Sequence, residues 1–142
     1  MSPSPSAGYS GTPLVKKLGV RAGDRVKTKG APSEYAGWLE PLPEGVTLSA
    51  RLRGDVNLWH FFTRSERELR EQLPKCQGEI EQGGCIWVSW PKKSSGEPTD
   101  VTEDTIRKVA LPMGLVDVKV CAVDATWSAL KLVIRKELRK RS

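Results

Sequence analysis

Short apolar runs alternate along this chain with amphipathic stretches, and their periodicities predict a succession of strands and helices. Val56–Phe62 is almost continuously apolar, which is typical of a strand in a parallel sheet covered on both faces. We therefore place this strand at the centre of the sheet. Period-two alternation and other apolar runs predict further strands at residues 25–29, 46–52, 85–90, 116–123 and 127–135.

Helix start and stop signals separate the first strands. Thr12 is expected to be the N-cap of a short leading helix, with Pro13 at its first position and Gly19 just past its end. Ser33 is expected to cap a second short helix that runs to Leu39, before a segment rich in proline.

Two longer helices are predicted in the second half of the chain. Ser65 and Glu68 have the spacing of a capping box, so a helix is expected to begin there. It should run to Leu73, where Pro74 is expected to kink or interrupt it before a further turn that ends at Gly83-Gly84. The sequence from Asp100 offers a second cap, and the following helix has these apolar positions on its inner face: Ile106, Val109, Ala110 and Met113.

The predicted order of elements is α-β-α-β-β-α-β-α-β-β. Its β-α-β units favour a parallel sheet, while the short link at residues 124–126 requires the last two strands to be antiparallel. The predicted fold is a three-layer Rossmann-like α/β domain, with a mostly parallel sheet and a C-terminal antiparallel hairpin at its edge.

Length and composition are those of one small domain. The chain has 142 residues, of which 38% are hydrophobic, and no apolar run approaches the ~20 residues of a membrane span. We expect a disordered lead at residues 1–10, a single domain at 11–136 and a basic tail at 137–142. The start has no signal-peptide pattern, so a cytoplasmic location is expected.

The net charge of +6 is concentrated near the end of the sequence. Residues 131–142 carry six basic side chains and one acidic side chain, so the other residues are nearly neutral. We interpret this stretch as a solvated tail, and weak nucleic-acid binding through it is the alternative.

Cysteine and histidine give no sign of catalysis or of a metal site. Cys76, Cys85 and Cys121 are an odd number without a Cys-x-x-Cys pair, so we expect reduced thiols that pack as small hydrophobic groups. His60 lies within an apolar strand and is expected to be structural. We expect no metal and no cofactor.

Several short motifs stand out along the chain. They are Gly8-Tyr-Ser-Gly-Thr-Pro-Leu14, Lys17-Leu-Gly19, Gly30-Ala-Pro32, Trp90-Pro-Lys-Lys-Ser-Ser-Gly96, Thr99-Asp100, Gly114-Leu-Val-Asp117, Lys119-Val-Cys-Ala-Val-Asp124 and Thr126-Trp-Ser128. Together they resemble a small bacterial family of unknown function, domain of unknown function 3052. The resemblance covers residues 8–136 and implies no activity.

The order of elements in the second half also resembles class I methyltransferase-like Rossmann folds. That resemblance implies a glycine-rich turn after the first strand and an acidic residue ending the second, which together bind S-adenosylmethionine. Here the turn is Gly30-Ala-Pro-Ser33, with one glycine, and the second strand ends at Arg51-Leu-Arg53. A degenerate methyltransferase is therefore an alternative and not the main interpretation.

A candidate site follows from the loops at the carboxyl ends of the strands, where ligands bind in open α/β sheets. Lys92 and Lys93 supply cations there, Arg64 supplies a planar fork, and the helix near Ser65 points backbone amides to the same edge. The candidate ligand-binding residues are Gly30, Thr63, Arg64, Ser65, Lys92, Lys93, Ser94, Ser95, Asp124 and Trp127.

The sequence thus predicts a non-catalytic protein that binds a small anionic ligand at this edge. An ordinary solvated loop at residues 91–96 is the competing interpretation. A protein-interaction module that exposes Trp38, Leu39 and Trp127, with an oligomeric state that the sequence leaves open, is a further alternative.

Overall fold

The computed structural model describes residues 11–140, so the predicted disordered lead and the last two residues of the predicted tail lie outside the described part. Six strands form one sheet in the order β2-β1-β3-β4-β6-β5. The strands are β1 (Arg25–Lys29), β2 (Thr47–Ser49), β3 (Val56–Phe62), β4 (Ile80–Pro91), β5 (Leu115–Ala122) and β6 (Trp127–Ile134).

The mixed sheet confirms the predicted fold class. Strands β1, β2, β3 and β4 are parallel, whereas β6 runs antiparallel to both β4 and β5. The last two strands therefore form the expected hairpin at one edge, and β3 lies between two parallel neighbours. Its side chains are almost all buried, as its continuous apolar run predicts.

Within residues 11–140, four α-helices cover the two faces of the sheet. They are α1 (Leu14–Leu18), α2 (Tyr35–Trp38), α3 (Glu66–Glu79) and α4 (Glu103–Ala110). Apolar side chains of α1 and α2 pack into one core with Val26, Leu58 and Trp87, whereas α3 and α4 pack on the opposite face with Phe61 and Val88.

Three helix boundaries differ from the predicted ones. Helix α1 begins after Pro13, which is its N-cap in place of Thr12. Ser33 does not cap α2, because Glu34 precedes that helix and its carboxylate accepts a hydrogen bond from the Ser33 hydroxyl at 3.1 Å. The N-cap of α4 is Thr102, whose side chain and that of Thr105 form a reciprocal capping box.

Helix α3 passes through Pro74 without interruption. A proline inside a helix removes one hydrogen bond, but Leu69, Leu73 and Cys76 are buried against the sheet on either side of it. Their burial holds both halves of the helix on the same surface. Contrary to the prediction, the helix therefore continues to Glu79.

Strand β4 begins earlier than predicted and contains Gly83 and Gly84. Ile80 already pairs with Val56 of β3, and the register shifts before Cys85. A Cβ atom at Gly84 would lie 3.0 Å from the carbonyl oxygens of two β3 residues, so glycine lets the strands approach closely here.

No helix connects β2 to β3, so part of one sheet face has no covering helix. Residues 50–55 connect β2 to β3 as an irregular segment, and Leu52 is the member of it that packs against the α3 core. Strand β1 consequently turns Lys27 toward the end of α3 across a partly open surface. This open surface is one wall of a groove described below.

Candidate functional site

The carboxyl ends of β1, β3 and β4 and the β5–β6 turn meet at one edge of the sheet, as the topology predicts. Backbone hydrogen bonds join them: the Thr63 amide donates to the Ser89 carbonyl at 3.0 Å, and the Lys92 amide donates to the Thr126 carbonyl at 2.7 Å. The loops at this edge are therefore parts of one connected surface.

A cleft of about 280 Å³ lies at this edge. The structure brings four of the predicted residues together in it, namely Gly30, Arg64, Asp124 and Trp127. The other lining residues are Pro32, Glu34, Trp38, Glu97 and Thr126. Three carboxylates thus face one guanidinium, which gives the cleft an acidic character.

The guanidinium of Arg64 is already engaged. Its Nε and Nη2 atoms donate to Oε1 of Glu97 at 3.0 and 2.6 Å, and the group lies 4.8 Å from the centre of the Trp127 ring. An anion would compete with Glu97 for the same donors. This arrangement makes the edge cleft a poor anion site.

The amino terminus of α3 is occupied by the protein itself. The Ser65 hydroxyl accepts from the Glu68 amide at 3.1 Å, which is half of the predicted capping box. The other half is replaced, because the Ser65 amide donates to Thr63 Oγ1 at 3.1 Å. Asp100, which was predicted to cap the following helix, accepts from the Glu66 amide at 2.7 Å. These bonds use amides that we expected to hold an anion.

The lysine-serine turn, residues 92–96, lies beside the cleft. None of its residues lines the cleft. Ser95 stabilises the turn by donating to the Lys92 carbonyl at 2.6 Å and accepting from the Glu97 amide at 3.2 Å. Lys93 and Ser94 are exposed. The turn therefore has the geometry of a solvated loop, which the sequence offered as the competing interpretation.

Two other predicted residues have structural explanations. Asp124 Oδ1 accepts from the amides of Thr126 and Trp127 at 2.9 and 2.7 Å, which makes it the anchor of the β5–β6 turn. Gly30 has a φ of +75°, and a Cβ there would lie 2.6 Å from the Phe62 carbonyl oxygen. Backbone packing alone therefore requires glycine at this position.

The exposed apolar patch expected for an interaction module is not formed by the residues predicted for it. Leu39 and Trp127 are buried, with 0% and 4% of their surface exposed. Trp38 is only partly exposed at the edge cleft.

A larger groove of about 530 Å³ lies between the open face of β1 and the side of α3. It is lined by three lysines, one glutamine and one carboxylate together with small and aromatic residues: Lys27, Thr28, Lys29, Gly30, Ala31, Ala50, Trp59, Gln72, Lys75 and Glu79. Sequence reasoning missed this groove. Its signal was the lysine at alternate positions of β1, which marks an uncovered strand face.

The carboxylate in this groove neutralises one of the lysines. Lys27 Nζ lies 2.9 Å from both oxygens of Glu79, and the Trp59 indole donates to Oε1 at 2.7 Å. Burial raises the pKa of Glu79, but the hydrogen bonds from Lys27 and Trp59 outweigh it and hold that pKa below its usual value. Glu79 is therefore ionised at neutral pH.

The two remaining lysines in the groove are exposed. Within residues 11–140, Lys29 and Lys75 form no salt bridge. Lys29 stands at the end of β1 and Lys75 on the third turn of α3, so the two ammonium groups come from opposite walls. The groove therefore has an excess of positive charge.

A chain of hydrogen bonds is buried on the α1/α2 face. The Tyr35 hydroxyl lies 2.6 Å from Nδ1 of His60, and Nε2 of His60 lies 2.7 Å from the Ser89 hydroxyl. His60 and Ser89 are both 0% exposed. Burial lowers the pKa of His60 to about 3 and raises that of Tyr35, so both side chains are neutral at physiological pH.

The thiols are also held in their neutral form. Burial raises the pKa of Cys76 to about 12 and that of Cys85 to about 11, and it raises that of Cys121.

Within the described residues, no three side chains of the metal-binding types come close enough to hold an ion. None of the helices between residues 11 and 140 is both long and apolar enough to cross a bilayer.

Solved structures of methyltransferases have a similar fold. Magnesium protoporphyrin IX methyltransferase from Synechocystis PCC 6803 aligns with a TM-score of 0.57 and 11% identity, covering 84% of this chain and 77% of the other. Fibrillarin from Aeropyrum pernix, solved with bound S-adenosyl-L-methionine, aligns with a TM-score of 0.57 and 16% identity, covering 85% of this chain and 72% of the other. At such low identity, the comparison shows a shared fold alone.

The residues of this chain do not fit S-adenosylmethionine as that fold binds it. The turn after β1 has a single glycine, Gly30, and the Phe62 carbonyl oxygen 2.6 Å from its Cβ position accounts for that glycine by backbone packing. Strand β2 ends at Ser49 and is followed by Ala50 and Arg51, so the ribose-binding carboxylate is missing. We derive no methyl transfer from this site.

Among curated proteins, none has a significant sequence match to this chain. A family model does match, over residues 53–136, and its description is "Protein of unknown function (DUF3052)". The match covers more than half of the chain and includes the lysine-serine turn and the β5–β6 hairpin, though not the motifs at residues 8–32. The resemblance seen in the sequence is thereby confirmed, and the chain belongs to the DUF3052 family.

Proposed function

We propose that this protein is a non-catalytic binding domain for a small anionic ligand, and that the ligand binds in the groove between β1 and α3. The observation that carries the proposal is the pair of salt-bridge-free lysines, Lys29 and Lys75, on opposite walls of a groove of about 530 Å³. This volume is that of a small-molecule site, for which the usual range is ~300 to ~1,000 Å³.

The groove also has polar groups besides the two ammonium ions. Gln72 contributes an amide that can donate to an anion, and the Lys27–Glu79 pair adds no net charge. A ligand with one or two phosphate or carboxylate groups matches two cations that face each other across a cleft. We therefore expect phosphate esters or dicarboxylates to bind better than neutral metabolites.

The absence of catalysis is supported by where the reactive side chains lie. The contact between His60 and Ser89 pairs a base with a hydroxyl, but both residues are fully buried and cannot reach a ligand. The three thiols are kept protonated by burial. Binding alone accounts for the groups that face the groove.

Two double variants with the same change in net charge test the proposal. Lys29→Gln/Lys75→Gln removes the cations of the groove, whereas Lys92→Gln/Lys93→Gln removes those of the lysine-serine turn. Inorganic phosphate, a sugar phosphate, ATP, citrate and S-adenosylmethionine are titrated by calorimetry and thermal shift. We expect wild type and the turn variant to bind an anion equally, and the groove variant to lose about tenfold in affinity or more.

Four outcomes would count against the proposal. Wild type that binds none of the anions would refute it, and so would an equal loss in both variants, since binding would then follow net charge. A loss in the turn variant alone would move the site to the edge loops. Binding of S-adenosylmethionine that both variants retain would favour the degenerate methyltransferase alternative.

A further inference from the structure

The basic segment, residues 135–140, is anchored to the end of the sheet opposite the carboxyl edge. Nε of Arg139 donates to the Ile134 carbonyl at 2.9 Å, and Nη2 of Arg135 donates to the Leu111 carbonyl at 3.1 Å. The Lys140 amide donates to Oε1 of Gln82 at 2.8 Å. The segment is therefore held in place over its described length, in contrast to the solvated tail that its composition suggests.

The anchoring leaves most of the positive charge facing solvent. A guanidinium has five N–H donors, and the hydrogen bonds of Arg135 and Arg139 to these carbonyl groups use one each. Lys136 and Lys140 are exposed, and the segment contains one acidic residue, Glu137. Two fixed guanidinium groups and two ammonium groups thus stand on one continuous stretch of surface.

We propose that this basic segment is a contact surface for the phosphate backbone of nucleic acids. Arginine forks held by carbonyl groups lose less freedom when they bind a phosphate than flexible side chains do. The described part of the segment has no aromatic residue that could stack on a base, so recognition is indifferent to sequence. The surface is independent of the lysine groove.

A nucleic acid suits this surface better than a membrane does. Helices that insert into a lipid interface have a wide apolar face, commonly with tryptophan or phenylalanine. Here the segment has a single 3-10 turn, Lys136–Leu138, and its apolar side chain is Leu138, which is 51% exposed. Charge and not apolar area therefore dominates the contact.

The salt dependence of binding follows from the number of phosphates contacted. Four cations and one carboxylate together neutralise about three phosphates. A plot of the logarithm of the association constant against the logarithm of the salt concentration should therefore have a slope of about −2.7. Removal of two lysines should make this slope less negative by about 1.8.

The experiment measures fluorescence anisotropy of labelled duplex DNA of mixed sequence with the full chain at several low salt concentrations. Lys136→Gln/Lys140→Gln should weaken binding at least about fivefold and reduce the slope as stated. Lys92→Gln/Lys93→Gln has the same charge change in the lysine-serine turn and should bind like wild type. Circular dichroism and thermal melts verify that each variant is folded.

A second variant tests the fixed arginines. Arg135→Lys/Arg139→Lys keeps the charge but loses the planar forks that the carbonyl groups hold, so affinity should fall while net charge stays the same. Wild-type affinity in this variant would refute the role of the arginines.

Three further outcomes would overturn the whole inference. They are no binding by wild type at low salt, an equal loss in the Lys92→Gln/Lys93→Gln control, and binding to vesicles that contain an anionic phospholipid without binding to DNA.

Discussion

The buried imidazole of His60 makes a prediction about the pH dependence of stability. His60 is the single histidine of the sequence, so between pH 5 and 7 no other side chain of this type contributes. In the folded protein its Nδ1 lies 2.6 Å from the Tyr35 hydroxyl and its Nε2 lies 2.7 Å from the Ser89 hydroxyl, so a neutral ring can donate at one nitrogen and accept at the other. Burial lowers its pKa to about 3, whereas the unfolded value is about 6.5.

The sign of the effect follows from where the proton binds. As pH falls below about 6.5, the unfolded chain takes up a proton that the folded protein does not accept until its own pKa is reached. The free energy of unfolding therefore falls by up to ~1.4 kcal/mol per pH unit. Relative to neutral pH, the loss is about 2 kcal/mol at pH 5 and about 4 kcal/mol by the time the folded pKa is reached.

The assay is urea unfolding of wild type and His60→Gln at a series of pH values from 5 to 8. The variant lacks the titrating ring and should be less stable than wild type at pH 8. The slope of its unfolding free energy against pH should be smaller than that of wild type by the contribution of one proton. Carboxylates affect both proteins alike, so the difference between the two curves isolates His60. Parallel curves would refute the reasoning, as would an imidazole NMR signal that titrates near pH 6.5 in the folded state.

Three other substitutions test particular contacts by chemical denaturation. Thr28→Val should stabilise the fold by about 1 kcal/mol, because Thr28 Oγ1 is buried and has no hydrogen-bond partner among residues 11–140; a loss of stability would show that it has one. Gly30→Ala should lower the free energy of unfolding by at least about 2 kcal/mol, because the positive φ strains alanine and its Cβ would clash with a carbonyl oxygen. The control Gly78→Ala in α3 should raise the free energy of unfolding by about 0.5 kcal/mol. Asp100→Ala should cost about 1 kcal/mol by removing the partner of the Glu66 amide, and Asp100→Asn should recover most of it; equal losses would indicate that charge and not hydrogen bonding matters.

Strands were predictable where the chain marks both of their ends. β1 and β3 have the predicted bounds, because glycine, proline or charged residues flank runs that the sheet then buries. The prediction failed where tertiary contacts override local signals. Pro74 and the Gly83-Gly84 pair are both helix-ending signals, yet one lies within α3 and the other within β4.

The convergence of the strand-end loops was predictable, because parallel strands bring their carboxyl ends to one edge of a sheet. Gly30, Arg64, Asp124 and Trp127 line one cleft there, which is separate from the groove in which we propose that the ligand binds. The carboxylate of Glu97, which engages Arg64, could not be foreseen, because ion pairs between distant loops leave no mark in the sequence. The lysine groove exists because a helix is missing from one sheet face, which a strand pattern alone does not show.

The loops that follow β3 and β4 are bound to each other at several points. The Arg64 carbonyl accepts from the Asp100 amide and the Thr99 hydroxyl, while the Arg64 side chain binds Glu97 and Asp100 accepts from the start of α3. Neither loop can change its length or shape alone without breaking bonds in the other. Anyone who grafts a new specificity onto this edge of the domain would therefore have to exchange the two loops as a single cassette.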